Sequence, residues 1–184
     1  MRTVLAVLLV LNTASFAVTK DGERAPFPEK FITASGAMIV PAGYAKSLKK
    51  QNLLLLFYRT GTCSVCVGQL ADVAQVRDEI LKWNTAILAV SMDDAILQSQ
   101  TKEKIGDSYP LVLDPEGHTI KAFGVFNPSD KLSRPAVFLI GPNRKVLYHY
   151  VGQSIGDRPS IETILHAVKH YSGLFPGAKR AGKG

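Results

Sequence analysis

The stretch Leu53-Leu54-Leu55-Leu56-Phe57-Tyr58-Arg59-Thr60-Gly61-Thr62-Cys63-Ser64-Val65-Cys66 decides the fold. Its first six residues are an unbroken apolar run of strand length, the pattern of a strand covered on both faces. A Gly-containing loop, Arg59 to Thr62, leads from that run to two cysteines separated by two residues. Beyond them Val67, Leu70, Val73, Ile80 and Leu81 recur near helical spacing, with Asp72, Arg77 and Asp78 between. That spacing predicts a helix with one apolar face, entered at the cysteines.

Downstream, Ala86 to Val90 forms a second buried strand, and Asp93-Asp94 starts a helix running to about Ile105. A short extended piece, Pro110 to Leu113, closes on the turn Asp114-Pro115-Glu116-Gly117. Thr119 to Phe123 reads as a short helix ending at Gly124. Two strands, Ala136 to Ile140 and Lys145 to Tyr150, are joined by the tight turn Gly141-Pro142-Asn143-Arg144. The last helix starts near Asp157 or Ser160 and carries Ile161, Ile164, Leu165 and Val168 on one face. Upstream, residues 18–30 hold Pro26 and Pro28 in an extended lead-in, and Phe31 to Val40 hold one or two short strands around Ser35-Gly36. Strands alternating with helices, then a hairpin and a helix, make this an α/β chain with a mostly parallel central sheet.

The chain has 184 residues, 46% of them apolar and 20% charged. That is enough for one ordinary domain with a full core, and it excludes a disordered protein. The net charge of +7 raises nucleic acid as a partner, but Lys and Arg are scattered and no basic stripe interleaved with aromatics is present. Nucleic acid is therefore not an expected partner.

At the N-terminus Arg2 precedes the apolar run Val4 to Leu11, and Ser15 and Ala17 fit the small-residue rule of a cleavage site. The expected division is a signal peptide at 1–17, one domain at 18–172 and a disordered basic tail at 173–184. The run is too short to span a bilayer. The mature protein is expected outside the cytoplasm, periplasmic or secreted, with no stable membrane span.

Cys63 and Cys66 are the only cysteines. A helix start offers free N–H groups and a positive dipole end, which favour the thiolate and lower a cysteine pKa. The spacing lets one sulfur attack and the other resolve the mixed disulfide. A purely structural disulfide closing so small a loop would stabilise by only roughly 2 kcal/mol. Zinc needs about four ligands, and no second CxxC or close CxxH exists; His166 and His170, four apart, suit a solvated helix face. Neither a metal nor an organic cofactor is expected.

The segment Leu54 to Cys66 resembles the active-site segment of the alkyl hydroperoxide reductase/thiol-specific antioxidant family, in the branch carrying a CxxC. Ala89-Val90-Ser91-Met92-Asp93, Tyr109 to Pro115, Phe123-Gly124-Val125 and Arg134-Pro135-Ala136-Val137-Phe138-Leu139-Ile140 follow in that family's order. The resemblance covers about residues 22–172. It implies a thioredoxin-like fold, with a central mixed sheet flanked by helices on both faces.

The family's usual Pro, Thr and peroxidatic Cys fall here on Arg59, Cys63 and Cys66, so a second thiol replaces the Thr. Thr62 stands where a Trp often precedes the CxxC. The family's peroxide-binding Arg falls on Pro135, one place after Arg134, and Pro135 matches the cis-proline that thioredoxin-like proteins place beside their disulfide. These departures favour a thiol–disulfide oxidoreductase acting on a protein or small-molecule thiol partner, with Cys63 attacking. A thiol-dependent peroxidase is the alternative: Cys66 attacks a hydroperoxide, Cys63 resolves, and Arg59 or Arg134 steadies the charge. A non-catalytic binding domain with a structural disulfide is the third reading.

Overall fold

The computed structural model describes residues 17–173. The proposed leader lies outside the described residues but for Ala17, and so does the tail from 174; Gly173 itself closes the last helix.

The chain order is β1 (Phe31–Ile32), β2 (Met38–Ile39), α1 (Pro41–Ser47), β3 (Asn52–Phe57), α2 (Ser64–Gln75), α3 (Arg77–Lys82) and β4 (Thr85–Ser91). It continues with α4 (Ala95–Ile105), β5 (Leu111–Leu113), α5 (His118–Ala122), β6 (Phe126–Asn127), β7 (Leu132–Ser133), β8 (Ala136–Ile140), β9 (Val146–Val151) and α6 (Ile161–Gly173). Seven strands form one sheet in the order β2-β1-β5-β4-β3-β8-β9, and β6 with β7 makes a small separate hairpin.

Strand β3 sits inside this sheet, parallel to β4 and antiparallel to β8, with Leu54 opposite Ile87 on one side and Leu139 on the other. Every residue of β3 and β4 is buried. Alternate side chains feed two cores, as a run covered on both faces requires. Leu53, Leu55 and Phe57 join Phe123, Phe138, Ile120 and Ala45 on one face. Leu54, Leu56 and Tyr58 join Cys66, Leu70, Val73, Ile80, Ile164 and Val168 on the other, beneath α2, α3 and α6. Phe57, Phe123 and Phe138 form a tilted aromatic trio with centroids 4.9–5.7 Å apart, the arrangement ring quadrupoles favour.

The sheet is mixed, as the family resemblance implied. The mostly parallel sheet expected from element order needs correction: only β3–β4 and β4–β5 are parallel. β8 re-enters through a short helix and a hairpin and runs against β3, and β9 returns through the tight turn at 142–144.

Local signals explain the helix starts. Asp94 caps α4 by accepting from the Leu97 N–H at 2.8 Å, and Ser160 caps α6 by accepting from the Thr163 N–H at 3.2 Å. The single helix expected after the cysteines is two, α2 and α3, because Val76 leaves helical angles at φ −100°, ψ 11°. None of the described helices is long and apolar enough to cross a membrane.

Candidate functional site

The site lies where β3 ends. Its last bond continues the parallel ladder, Tyr58 N–H to the Val90 carbonyl at 3.1 Å, and the chain then leaves the sheet as the loop Arg59 to Thr62. Two contacts fix that loop. The Gly61 N–H donates to the buried Asp93 carboxylate at 3.0 Å, which also accepts from the Ser91 hydroxyl at 3.0 Å. Gly61 lies so close to α4 that a Cβ there would sit 1.8 Å from the Thr101 hydroxyl. Only glycine lets the loop lie this tightly against the helix.

The loop delivers Cys63 to the N-cap of α2 and Cys66 to its first turn. Cys63 has extended angles, and its sulfur accepts from the Cys66 N–H at 3.3 Å, replacing the hydroxyl or carboxylate oxygen usual at an N-cap. The two thiols are free, and their exposures differ: Cys63 is partly exposed and Cys66 is completely buried among Tyr58, Leu70 and Val73.

The cation at the pair is one that sequence reasoning missed. Arg158 donates from Nη2 to the Cys66 sulfur at 3.1 Å and from Nη1 to the Gln69 side-chain oxygen at 2.6 Å. Its Nε donates to the Ile155 carbonyl at 2.9 Å, so the guanidinium is held on three sides. Gln69 stands one helical turn after Cys66, so α2 supplies both the sulfur and the group that aims the arginine at it. Nothing in the sequence marks Arg158, which lies 92 residues from Cys66 in a loop.

Burial pushes the Cys66 thiol pKa up, and the hydrogen bond to Cys63 raises it further; the backbone amides of Thr60 and Arg59 and the charge of Arg158 pull it back down. The lowered pKa expected from the helix entrance is therefore overridden at Cys66, because removing a sulfur from water disfavours its charged form.

The other candidates act at one remove. The Arg59 guanidinium is bound by Asp130 at 2.6 Å, so its charge is spent on the β6–β7 hairpin and only its backbone reaches the sulfur. Arg134 donates from Nε to the Gly152 carbonyl at 3.1 Å, and the Pro135 carbonyl accepts from the Gly152 N–H at 2.8 Å. These two residues brace the loop that carries Arg158. The bond before Pro135 is trans, since the described residues contain no cis peptide. Trans is the ordinary form, and here it leaves the Arg134 N–H bonded to Val125 and the Pro135 carbonyl to Gly152. Thr62 is exposed, its N–H bonded weakly to the Thr60 hydroxyl at 3.4 Å.

The brace continues through Asp157, whose carboxylate accepts from the Tyr150 hydroxyl and from the Gln153 N–H. The Tyr150 bond, then the Gln153 bond, hold the Asp157 pKa below the usual carboxylate range. At Gly152 an added Cβ would fall 2.1 Å from the Asp157 carbonyl oxygen, so the loop closes only over glycine. His166 and His170 stack ring on ring with centroids 6.2 Å apart on α6, and no described group of three or more His, Cys, Asp or Glu is arranged to hold a metal.

A buried thiol against a guanidinium, with a second thiol at the cap of the same helix, can be oxidised and then closed into a disulfide. Comparison with known proteins identifies the family and the fold. Residues 43–149 match the model of the AhpC/TSA family. The chain is 29% identical over 127 residues to the 2-Cys peroxiredoxin BAS1, chloroplastic, of Hordeum vulgare, covering 65% of this chain and 60% of that protein. It is 27% identical over 136 residues to a probable 1-Cys peroxiredoxin of Bromus secalinus, covering 64% and 67%. The chain thus spans about three fifths to two thirds of the length of these relatives. Among solved structures, Mycobacterium tuberculosis AhpC superposes with a TM-score of 0.72 at 16% identity, over 86% of this chain and 96% of that one. Reduced Plasmodium vivax 2-Cys peroxiredoxin gives 0.71 at 22% identity, over 85% and 98%. The fold is the thioredoxin-like fold of these neighbours.

Proposed function

The chain belongs to the AhpC/TSA family, and from that membership we propose that it is a thiol-dependent peroxidase in which Cys66 attacks and Cys63 resolves. The observation that carries the assignment is the Arg158 guanidinium 3.1 Å from the Cys66 sulfur. A fixed cation beside a sulfur favours the thiolate and steadies negative charge that develops on oxygen during attack.

The chemistry runs in two steps on this chain. The Cys66 thiolate attacks the terminal oxygen of a hydroperoxide. The O–O bond breaks, the departing alkoxide or hydroxide takes up a proton, and Cys66 becomes a sulfenic acid. Cys63 then attacks that sulfur, water leaves, and a Cys63–Cys66 disulfide closes. An external dithiol supplies the two electrons that reopen it. Arg158 covers the buried sulfur in the reduced protein, so substrate entry exchanges the Arg158–sulfur contact for one to the peroxide oxygens. Residues 153–156 of the covering loop are exposed, which leaves that side of the sulfur the shortest way in.

A second reading rests on a different observation. Cys63 is the partly exposed thiol and its sulfur takes a helix N–H, as an attacking cysteine in disulfide exchange would. In that reading Cys63 opens a partner's disulfide and Cys66 resolves. The export read from residues 1–17 belongs to either proposal and would place the reductant outside the cytoplasm.

Stoichiometry separates the two. Reduced protein mixed with one equivalent of hydrogen peroxide, without added thiol, is expected to lose both titratable thiols as the peroxide disappears. Peroxide left unconsumed by protein that still reduces a model disulfide would favour exchange.

A further inference from the structure

At the pole of the sheet opposite the cysteines, a half-open cleft of about 890 Å³ lies between α1, the start of β3, the end of β8 and the extended lead-in. Strand β3 runs from this cleft to the redox site, roughly 17 Å at 3.3–3.4 Å per residue. The floor is apolar, with Phe27, Ala45, Leu53 and Ile140. The rim carries four cations, Arg24, Lys46, Lys50 and Arg144, and no carboxylate lines it among the described residues.

None of these cations has an ion-pair partner among the described residues. Arg144 is held in place at some cost. It follows Asn143 through two successive left-handed residues, φ 59° and 66°, a conformation unfavourable for a non-glycine side chain. From there its Nη2 donates to the Ala25 carbonyl at 2.7 Å, and its guanidinium lies 5.3 Å from the centre of the Phe27 ring. Burial, then the charge of Arg24 beside it, pull its pKa below the ordinary guanidinium value. Lys50 is steadied by the Leu81 carbonyl at 2.9 Å, again a neutral acceptor. Four like charges gathered round an apolar floor, with no anion of their own, leave a field that an anionic guest would neutralise. The chain's own tail carries Lys179, Arg180 and Lys183 and has the same sign.

We propose that this cleft binds a small amphipathic anion, an apolar chain ending in one carboxylate, with the chain on the Phe27–Leu53–Ile140 floor and the carboxylate among the rim cations. The volume suits such a guest, since small-molecule sites run to about 300–1,000 Å³. The inference is independent of the redox chemistry.

Titration of the reduced full chain with dodecanoate below its micelle concentration, followed by calorimetry, is expected to show one saturable site. Dodecanol, which has the chain without the charge, and inorganic phosphate, which has charge without the chain, should each bind at least about tenfold more weakly. Arg24→Glu and Lys46→Glu, both at exposed positions, should each weaken dodecanoate about tenfold or more. Ala42→Trp, which fills the cleft mouth from an exposed position, should abolish binding. Lys30→Glu, exposed and outside the cleft, makes the same change in net charge and should leave the affinity unchanged. Equal weakening by Lys30→Glu and Lys46→Glu would assign binding to overall charge and overturn the proposal. So would the lack of a saturable site in protein with native circular dichroism, or attachment to anionic lipid vesicles without binding of free dodecanoate.

Discussion

Cys66→Ser is expected to lower the rate of hydroperoxide consumption by about a thousandfold or more, because the attacking atom of the reaction is removed. The residue is wholly buried, and serine is close to cysteine in size, so the fold should survive the change. The variant still carries Cys63 at the N-cap and Arg158 nearby, so any residual rate measures what the more exposed sulfur achieves alone. Stopped-flow measurement of peroxide loss, with circular dichroism to confirm folding, checks the expectation. A variant that retained most of the rate would move the attacking role to Cys63.

Arg158→Ala should carry the second-largest penalty, about a hundredfold to a thousandfold, the scale seen when one charge-stabilising donor is taken from an active site. Two effects combine. The thiolate loses a cation, and the oxygen that departs loses its donor. They separate by pH. Burial already holds the Cys66 thiol above its ordinary value, and the charge of Arg158 opposes that rise. The thiolate is the reactive form, so the native rate should still be climbing with pH beyond the range where an ordinary thiol has ionised rather than level off at neutrality. Without Arg158 the opposing charge is gone, the pKa rises further, and the climb should shift to higher pH. The rate that remains at high pH, where the sulfur is fully ionised, then reports the lost stabilisation of the leaving oxygen. Arg158→Lys should recover part of the pH shift, because charge returns, and less of the rate at high pH, because the fork to Gln69 and the sulfur is lost. A merely structural Arg158 would change the rate without moving the pH profile.

The sequence carried the centre of the fold well and its margins poorly, for physical reasons. The run Leu53 to Tyr58 could be assigned as a strand covered on both faces because every residue in it is apolar, and all of them are buried. Asp94 and Ser160 announced α4 and α6 because a cap needs a short oxygen-bearing side chain at one place. Helix α1 gave no comparable signal: of its seven residues only Pro41 and Ala45 are buried, too few for a stripe. The break at Val76 was equally silent, since the apolar spacing continues across it from Val73 to Ile80. Strand direction was lost because element order alone does not say from which end β8 re-enters the sheet.

The site divides the same way. Cys63 and Cys66 were visible because their chemistry depends on local spacing. Arg158 was hidden because its contact with Cys66 joins distant parts of the chain. Proximity in sequence pointed instead to Arg59, whose charge goes to Asp130, and resemblance pointed to Arg134 and Pro135. The last two turn out to brace the loop of Arg158 through Gly152. Sequence therefore found the neighbourhood of the sulfurs but not the guanidinium that touches one of them.

The central claim is that peroxide oxidises the buried sulfur first. In Cys63→Ser the sulfenic acid formed by one turnover has no partner thiol in the chain, so it should persist long enough to be captured by dimedone. Peptide mass mapping after a single equivalent of hydrogen peroxide is predicted to find the adduct on Cys66. A Cys63→Ser protein that stays folded, leaves peroxide untouched and carries no adduct, while Cys66→Ser is labelled at Cys63, would contradict the account.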